Sequence, residues 1–230
     1  LYQGMFHEIV EYIKHPNQIW NSGRKRILVE NFFSLSVLQL LNYLLPMITF
    51  PYLVAVLGID NFGAVSFAQA FVQIFVIITD FGFNVSATRD ISVAGEKKVD
   101  LSKVFYNVMY TKVTLLILGL LLYLLLIFNF SRFTSDNLLY LFSFGIVIGN
   151  TLFPTWFFSG IEKMKWITIL NFISKLVYTI LIVTIVKLPE NYVLVPVFSS
   201  IGLFVAVIIS YIIIIKKYVY ISFRFLSFNE

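Results

Sequence analysis

The chain has 230 residues, of which 59% are hydrophobic, 18% aromatic and 13% charged, and its mean hydropathy is +0.89. That composition excludes a water-soluble domain of this size, and the absence of cysteine excludes disulfides, thiolate metal sites and thiol catalysis. A formal charge of +5 would suit a nucleic-acid partner, but the order of the basic residues along the chain argues for a membrane instead.

Residues 1–31 form a leader with no short apolar run ending in a small-residue cleavage site, so retention of this segment is expected. Within it Phe6, Ile9, Val10 and Ile13 recur at helical spacing before His15 and Pro16, which fits either a short helix on the inner membrane surface or a mobile tail. Leu1 stands where an initiator methionine is usual, which points to a fragment boundary or a non-standard start.

Residues 32–217 hold six apolar stretches: Phe33 to Leu57, Phe62 to Asn84, Val104 to Phe128, Leu138 to Phe158, Trp166 to Val186 and Tyr192 to Ile215. A helix needs roughly 20 apolar residues to cross the hydrocarbon. Backbone groups must be paired in lipid, and these runs lack the alternation of barrel strands, so the expected fold is an all-α membrane bundle of six helices. One alternating set of segments carries Lys14, Arg24, Lys25, Arg26, Arg89, Lys97, Lys98, Lys103, Lys163, Lys165, Lys216, Lys217 and Arg224, whereas the other carries Arg132 and Lys187. Positively charged loops stay inside, which puts both termini in the cytoplasm. The outer connections, Gly58 to Asn61, Asn129 to Asn137 and Lys187 to Asn191, are too short for a folded domain, and the link from Val85 to Lys103 reads as an amphipathic cytoplasmic segment.

Function must then reside in polar residues within the spans. Gln39, Asn42 and Pro46 share one face of the first helix with Thr49 beside them, and Pro46 and Pro51 predict a bend or local loosening. This face reads either as a cavity wall or as ordinary interhelical hydrogen bonding. Gln69, Gln73, Asp80 and Asn84 form a stripe on the second helix that continues towards Arg89, and such alignment favours a water-filled interior. Lys112 precedes an eighteen-residue apolar run, so it reads either as an interfacial lysine extending into headgroups or as a buried charge. After Lys175 only eleven residues remain before Lys187, too few to span, which places it deep within the fifth helix with Asn171 and Tyr178 on its face. Such a lysine requires a partner, Asp80 or carbonyl groups, or else lines a cationic wall that attracts an anionic transported group. Asn150, Thr151 and Pro154 interrupt the fourth helix, where Trp156, Phe157 and Phe158 are expected to anchor it as an interfacial aromatic belt. Gly145 and Gly149 give a lone GxxxG match, a weak packing signal. Both histidines lie in the leader, and no nucleophile–base pair, zinc motif or phosphate loop is present, so neither an enzyme nor a cofactor site is expected.

The stretch from Asn31 through Gly63, NFFSLSVLQLLNYLLPMITFPYLVAVLGIDNFG, resembles the opening of Wzx-type polysaccharide-unit flippases. DFGFNVSATRDIS from Asp80 to Ser92 and LFPTWFFSGIEKMKWIT from Leu152 to Thr168 are similar to later segments of that family, while Ala55 and Ser159 depart from its pattern. The resemblance implies one lobe of a two-lobe exporter of the multidrug, oligosaccharidyl-lipid and polysaccharide superfamily, residing in the bacterial inner membrane. Its substrate would be an undecaprenyl-diphosphate-linked oligosaccharide moved by alternating access. The implied partners are membrane lipids, a second lobe of six to eight helices and polysaccharide assembly proteins, with no nucleic acid. On this view residues 218–230 are a cytoplasmic tail or the start of a linker, and Lys175 leads the candidate contacts, followed by Lys112, Arg89, Gln69, Gln73 and Asn42. Two other readings are a cation-coupled antiporter with Asp80 as its proton or sodium site, and a non-transporting scaffold or truncated remnant.

Overall fold

The computed structural model describes residues 22–95, 97–130, 133 and 136–220, with side chains from Ser36 onward. The possible interfacial helix of the leader and the tail after residue 220 lie outside the described residues. By its internal contacts the chain falls into two units, Leu1–Leu40 and Leu41–Glu230, and the account below concerns the second.

The elements are α1 (Ser22–Asp80), α2 (Phe83–Ala94), α3 (Lys98–Asn129), α4 (Asn137–Leu152), α5 (Thr155–Gly160), α6 (Lys165–Ile185), a 3-10 turn (Pro189–Val193) and α7 (Leu194–Lys217). Five helical segments among the described residues are long and apolar enough to cross a membrane. The first of them contains two helices joined across Gly58, whose φ of 76° and ψ of 169° no helix accommodates and which a side chain would strain. Exposed Leu118, Leu121, Leu122 and Leu125 on α3, with Ile208 and Ile212 on α7, present the apolar exterior that lipid requires. The chain is a multi-pass membrane protein.

Glycine, proline and one strained turn set the remaining boundaries, and several differ from the sequence reading. The helix expected to reach Asn84 stops at Asp80, because Phe81 and Gly82 take φ of 41° and 81° and redirect the chain into α2. The link expected from Val85 to Lys103 is mostly the short helix α2, which buries Ala87 and Ile91. α3 therefore starts at Lys98, before Val104, and at 1.5 Å per residue its 32 residues extend about 48 Å. α4 ends at Leu152 ahead of Pro154, as the interrupting residues predicted. The expected loosening at Pro46 and Pro51 is not seen: backbone angles stay helical through both, and Gly58 alone breaks α1.

Two apolar clusters build the interior. Near the end that carries Gly58, Val65, Val72, Phe75, Tyr123, Phe144, Ile182 and Val195 pack together. Near the end that carries Gly95, Ile91, Phe105, Trp156, Phe157, Phe158, Leu170 and Ile214 form the other. Trp156, Phe157 and Phe158 are 0% exposed, so the expected interfacial belt is instead a buried aromatic core, with the Phe105 ring tilted against Trp156 at 5.8 Å and edge-on to Phe157 at 5.6 Å. The turn at Pro154 folds these rings inward against α3 and α2 in place of extending them along α4. Gly145 and Gly149 do form a packing face. A Cβ on Gly149 would lie 2.7 Å from the Cβ of Leu203, and one on Gly145 would meet Ser200 at 2.5 Å, so α4 and α7 approach through these glycines.

Candidate functional site

Between the two apolar clusters lies a polar seam, and its arrangement begins with a covalent fact about α1. Proline has no N–H, so Pro46 cannot make the helical bond to the carbonyl of Asn42 four residues earlier. The Lys175 ammonium donates to that carbonyl at 3.0 Å. Lys175 stands ten residues from each end of α6 (Lys165–Ile185), about 15 Å from either terminus. The depth read from the sequence is therefore correct, and of the partners considered the carbonyl is the one found. Among the described residues no carboxylate lies within salt-bridge distance of Lys175, so its charge is solvated by a dipole and not neutralised.

Lys175 opens onto a cavity of about 490 Å³ whose wall includes Pro46, Gln69, Gln73, Asn171 and Tyr178. Asn42 is buried beside it, with its amide nitrogen 3.4 Å from the Thr168 carbonyl. Thr49 turns its hydroxyl back onto the carbonyls of Leu45 and Pro46, at 3.0 and 3.3 Å. Of the face predicted from Gln39, Asn42 and Pro46 with Thr49 beside them, Pro46 and Thr49 line this cavity with Gln69, Gln73 and Lys175, whereas Asn42 is buried beside it and Gln39 is exposed.

A second cavity, of about 340 Å³, adjoins the first, and Gln73 and Asn150 line both. Its charge is organised differently. Lys112 donates to Asp80 Oδ1 at 3.2 Å with its side chain 2% exposed. Asn84 donates to Asp80 Oδ2 at 3.0 Å, and its own carbonyl accepts from the Thr155 hydroxyl at 2.7 Å. Thr151 donates to Thr79 at 2.9 Å behind this network. The snorkelling reading of Lys112 is thereby overturned, since a carboxylate within reach in the interior outcompetes distant headgroups for the ammonium. The same pair removes Asp80 as the partner of Lys175.

Arg89 does not join the site. It is exposed on α2 and lines neither cavity, because the turn at Phe81–Gly82 carries the stripe away from the seam after Asn84. Asn150 and Thr151, which the sequence marks only as an interruption of the fourth helix, belong to the seam: Asn150 lines both cavities and Thr151 the second. The available signal was two adjacent polar residues in an otherwise apolar helix. The arrangement can hold an anionic group against Lys175 in a cleft where polar side chains alternate with apolar ones such as Phe50, Leu53 and Leu203, with a separate, internally neutralised pair beside it.

The family model described as polysaccharide biosynthesis protein matches residues 28–230. A protein of Escherichia coli K12 named "Putative O-antigen transporter" is 34% identical over 152 residues, covering 66% of this chain and 37% of that protein. A Shigella dysenteriae protein of the same name is 32% identical over 190 residues, covering 82% of this chain and 47% of its own length. No solved structure matches the chain significantly. The matched part of the chain spans less than half the length of either of these relatives.

Proposed function

Because the chain belongs to the polysaccharide biosynthesis protein family, we propose that it forms one lobe of a flippase that moves undecaprenyl-diphosphate-linked oligosaccharide units across the bacterial inner membrane. The O-antigen transporter names of its relatives support a transport role. One observation carries the reading further: a lysine at mid-depth, held by a carbonyl dipole and not by a carboxylate, faces a cavity of about 490 Å³. Its charge remains available to a diphosphate, while the lipid tail stays in the bilayer. A phosphate oxygen is a stronger partner for the ammonium than a neutral carbonyl, so binding exchanges one for the other.

In this proposal α1 contributes two crossings, one on each side of Gly58, giving six with α3, α4, α6 and α7. The basic connections at the Gly95 end face the cytoplasm, as do both termini. A second lobe completes the cavity, and rocking of the lobes exposes it to each side in turn. The antiporter reading requires Asp80 to receive a cation, and its engagement with Lys112 and Asn84 favours the flippase.

The test is transport by the full-length protein in a flippase-deficient strain, with membrane abundance measured alongside. Lys175→Ala is expected to lower translocation about tenfold or more at unchanged abundance, and Lys175→Arg to retain more activity. Normal transport by the alanine variant at equal abundance overturns the assignment, whereas loss of abundance in step with activity gives Lys175 a structural role only.

A further inference from the structure

The Gly95 end contains a third cavity, of about 580 Å³, that shares no residue with the two in the seam. Three lysines from separate parts of the chain converge on it: Lys98 at the start of α3, Lys163 between α5 and α6, and Lys217 at the end of α7. The fold brings them there by specific local geometry. Glu162 closes α5 with φ of 57°, and the Lys163 amide reaches back to the Phe158 carbonyl at 2.9 Å, a left-handed helix ending that turns the chain towards α6. Tyr218, immediately after Lys217, packs its ring 6.0 Å from Phe157. Gly95 lies on the wall with a φ of 64°, and a Cβ there would meet nothing within 4 Å among the described residues.

Among the described residues none of the three ammonium groups lies within salt-bridge distance of a carboxylate. Among the described residues Glu162 is the carboxylate that lines the cavity, so the described wall carries three positive charges and one negative. Like charges collected in one concavity repel unless an anion is present, and on the proposed topology, on which this inference rests, a basic cavity between helix ends lies at headgroup depth. We propose that this cavity binds a phosphate-bearing lipid headgroup. The phosphate has two possible sources, an anionic bilayer lipid or a polyprenyl diphosphate waiting at the membrane surface. Surface chemistry is the same for both.

Binding of phosphatidylglycerol, of undecaprenyl diphosphate and of phosphatidylethanolamine to the full chain can be compared by native mass spectrometry. The triple variant Lys98→Gln/Lys163→Gln/Lys217→Gln removes the cavity's cations. A matched triple, Lys97→Gln/Lys165→Gln/Lys216→Gln, removes the same charge from neighbours that do not line the cavity. The cavity triple is expected to lose about tenfold or more in affinity for a phosphate-bearing anion, and the matched triple no more than about twofold. Loss confined to phosphatidylglycerol identifies a bilayer lipid, and loss confined to undecaprenyl diphosphate identifies a waiting substrate. Equal losses in both triples, or none in either, overturn the site. Glu162→Gln provides an independent measurement that leaves the lysines in place: its affinity should rise a few-fold, and an unchanged or weaker affinity contradicts the proposal.

Discussion

At the scale of single residues, two lysines within the bundle, Lys112 buried and Lys175 half-buried, show how one side chain serves two ends. Lys112 meets Asp80 and the pair is internally neutral, whereas Lys175 meets only the dipole of the Asn42 carbonyl. Removing one member of a buried pair strands the other, so Asp80→Asn should destabilise the bundle by about 3 kcal/mol, and Asp80→Asn/Lys112→Met should recover most of that loss. Unfolding in detergent under graded denaturant measures both, and a single variant as stable as the parent would show the pair to be dispensable. Pro46 should be energetically coupled to Lys175. An alanine at 46 restores an N–H that competes for the Asn42 carbonyl, so a double-mutant cycle of Pro46→Ala with Lys175→Met should give a coupling of about 1 kcal/mol. Additivity of the two changes would break the link. The position of Lys175 was legible because eleven residues cannot finish a span. Its partner was not, although Pro46 was in plain view: a backbone acceptor has no letter of its own, and only the packing of α6 against α1 determines which ammonium reaches it.

At the scale of elements, the breaks visible as letters were those made by residues with unusual backbones. Gly58 and Pro154 punctuate the chain where the sequence suggested, since neither depends on its surroundings to interrupt a helix. The turn at Phe81 was hidden. A phenylalanine with φ of 41° is a tertiary outcome, and the polar spacing from Gln69 to Asn84 continues across it as though the helix did. The GxxxG pair was visible but under-read, because its value depends on what faces it. Opposite Gly149 is the Cβ of Leu203, which is fixed to its backbone and can yield only if α7 moves. Gly149→Ala is therefore expected to cost about 1 to 3 kcal/mol, and Gly202→Ala a similar amount, since its added methyl would strike the Ser174 carbonyl of α6. Gly63→Ala is the control, because nothing lies within 4 Å of a Cβ there. Equal melting temperatures for the three variants would remove the close approach of α7 as a source of stability.

At the scale of the whole molecule, composition and spacing made the membrane bundle legible, whereas the division of its interior into two apolar clusters with a polar seam between them appears only on folding. Reporter fusions after Asp60, Ser135 and Glu190 should face outward and those after Gly95, Glu162 and Phe225 inward; two or more reversals would overturn the six-crossing topology. The 230-residue chain by itself should insert without rescuing a flippase-deficient strain, because the proposed cavity needs a second lobe. Robust rescue would point to an assembly of identical lobes. The dipole-held Lys175 also has an electrical consequence. An empty site would hold one positive charge at mid-depth, whereas a site loaded with a doubly charged diphosphate diester would hold one negative charge. A potential that is negative inside then favours outward exposure of the loaded carrier and inward return of the empty one, with about 2.3 kcal/mol available per charge for each 100 mV fully traversed. Collapsing that voltage at constant pH should slow both limbs of the parent cycle, whereas in Lys175→Gln the empty limb no longer senses the field and the loaded limb, now carrying two negative charges, senses it twice as strongly.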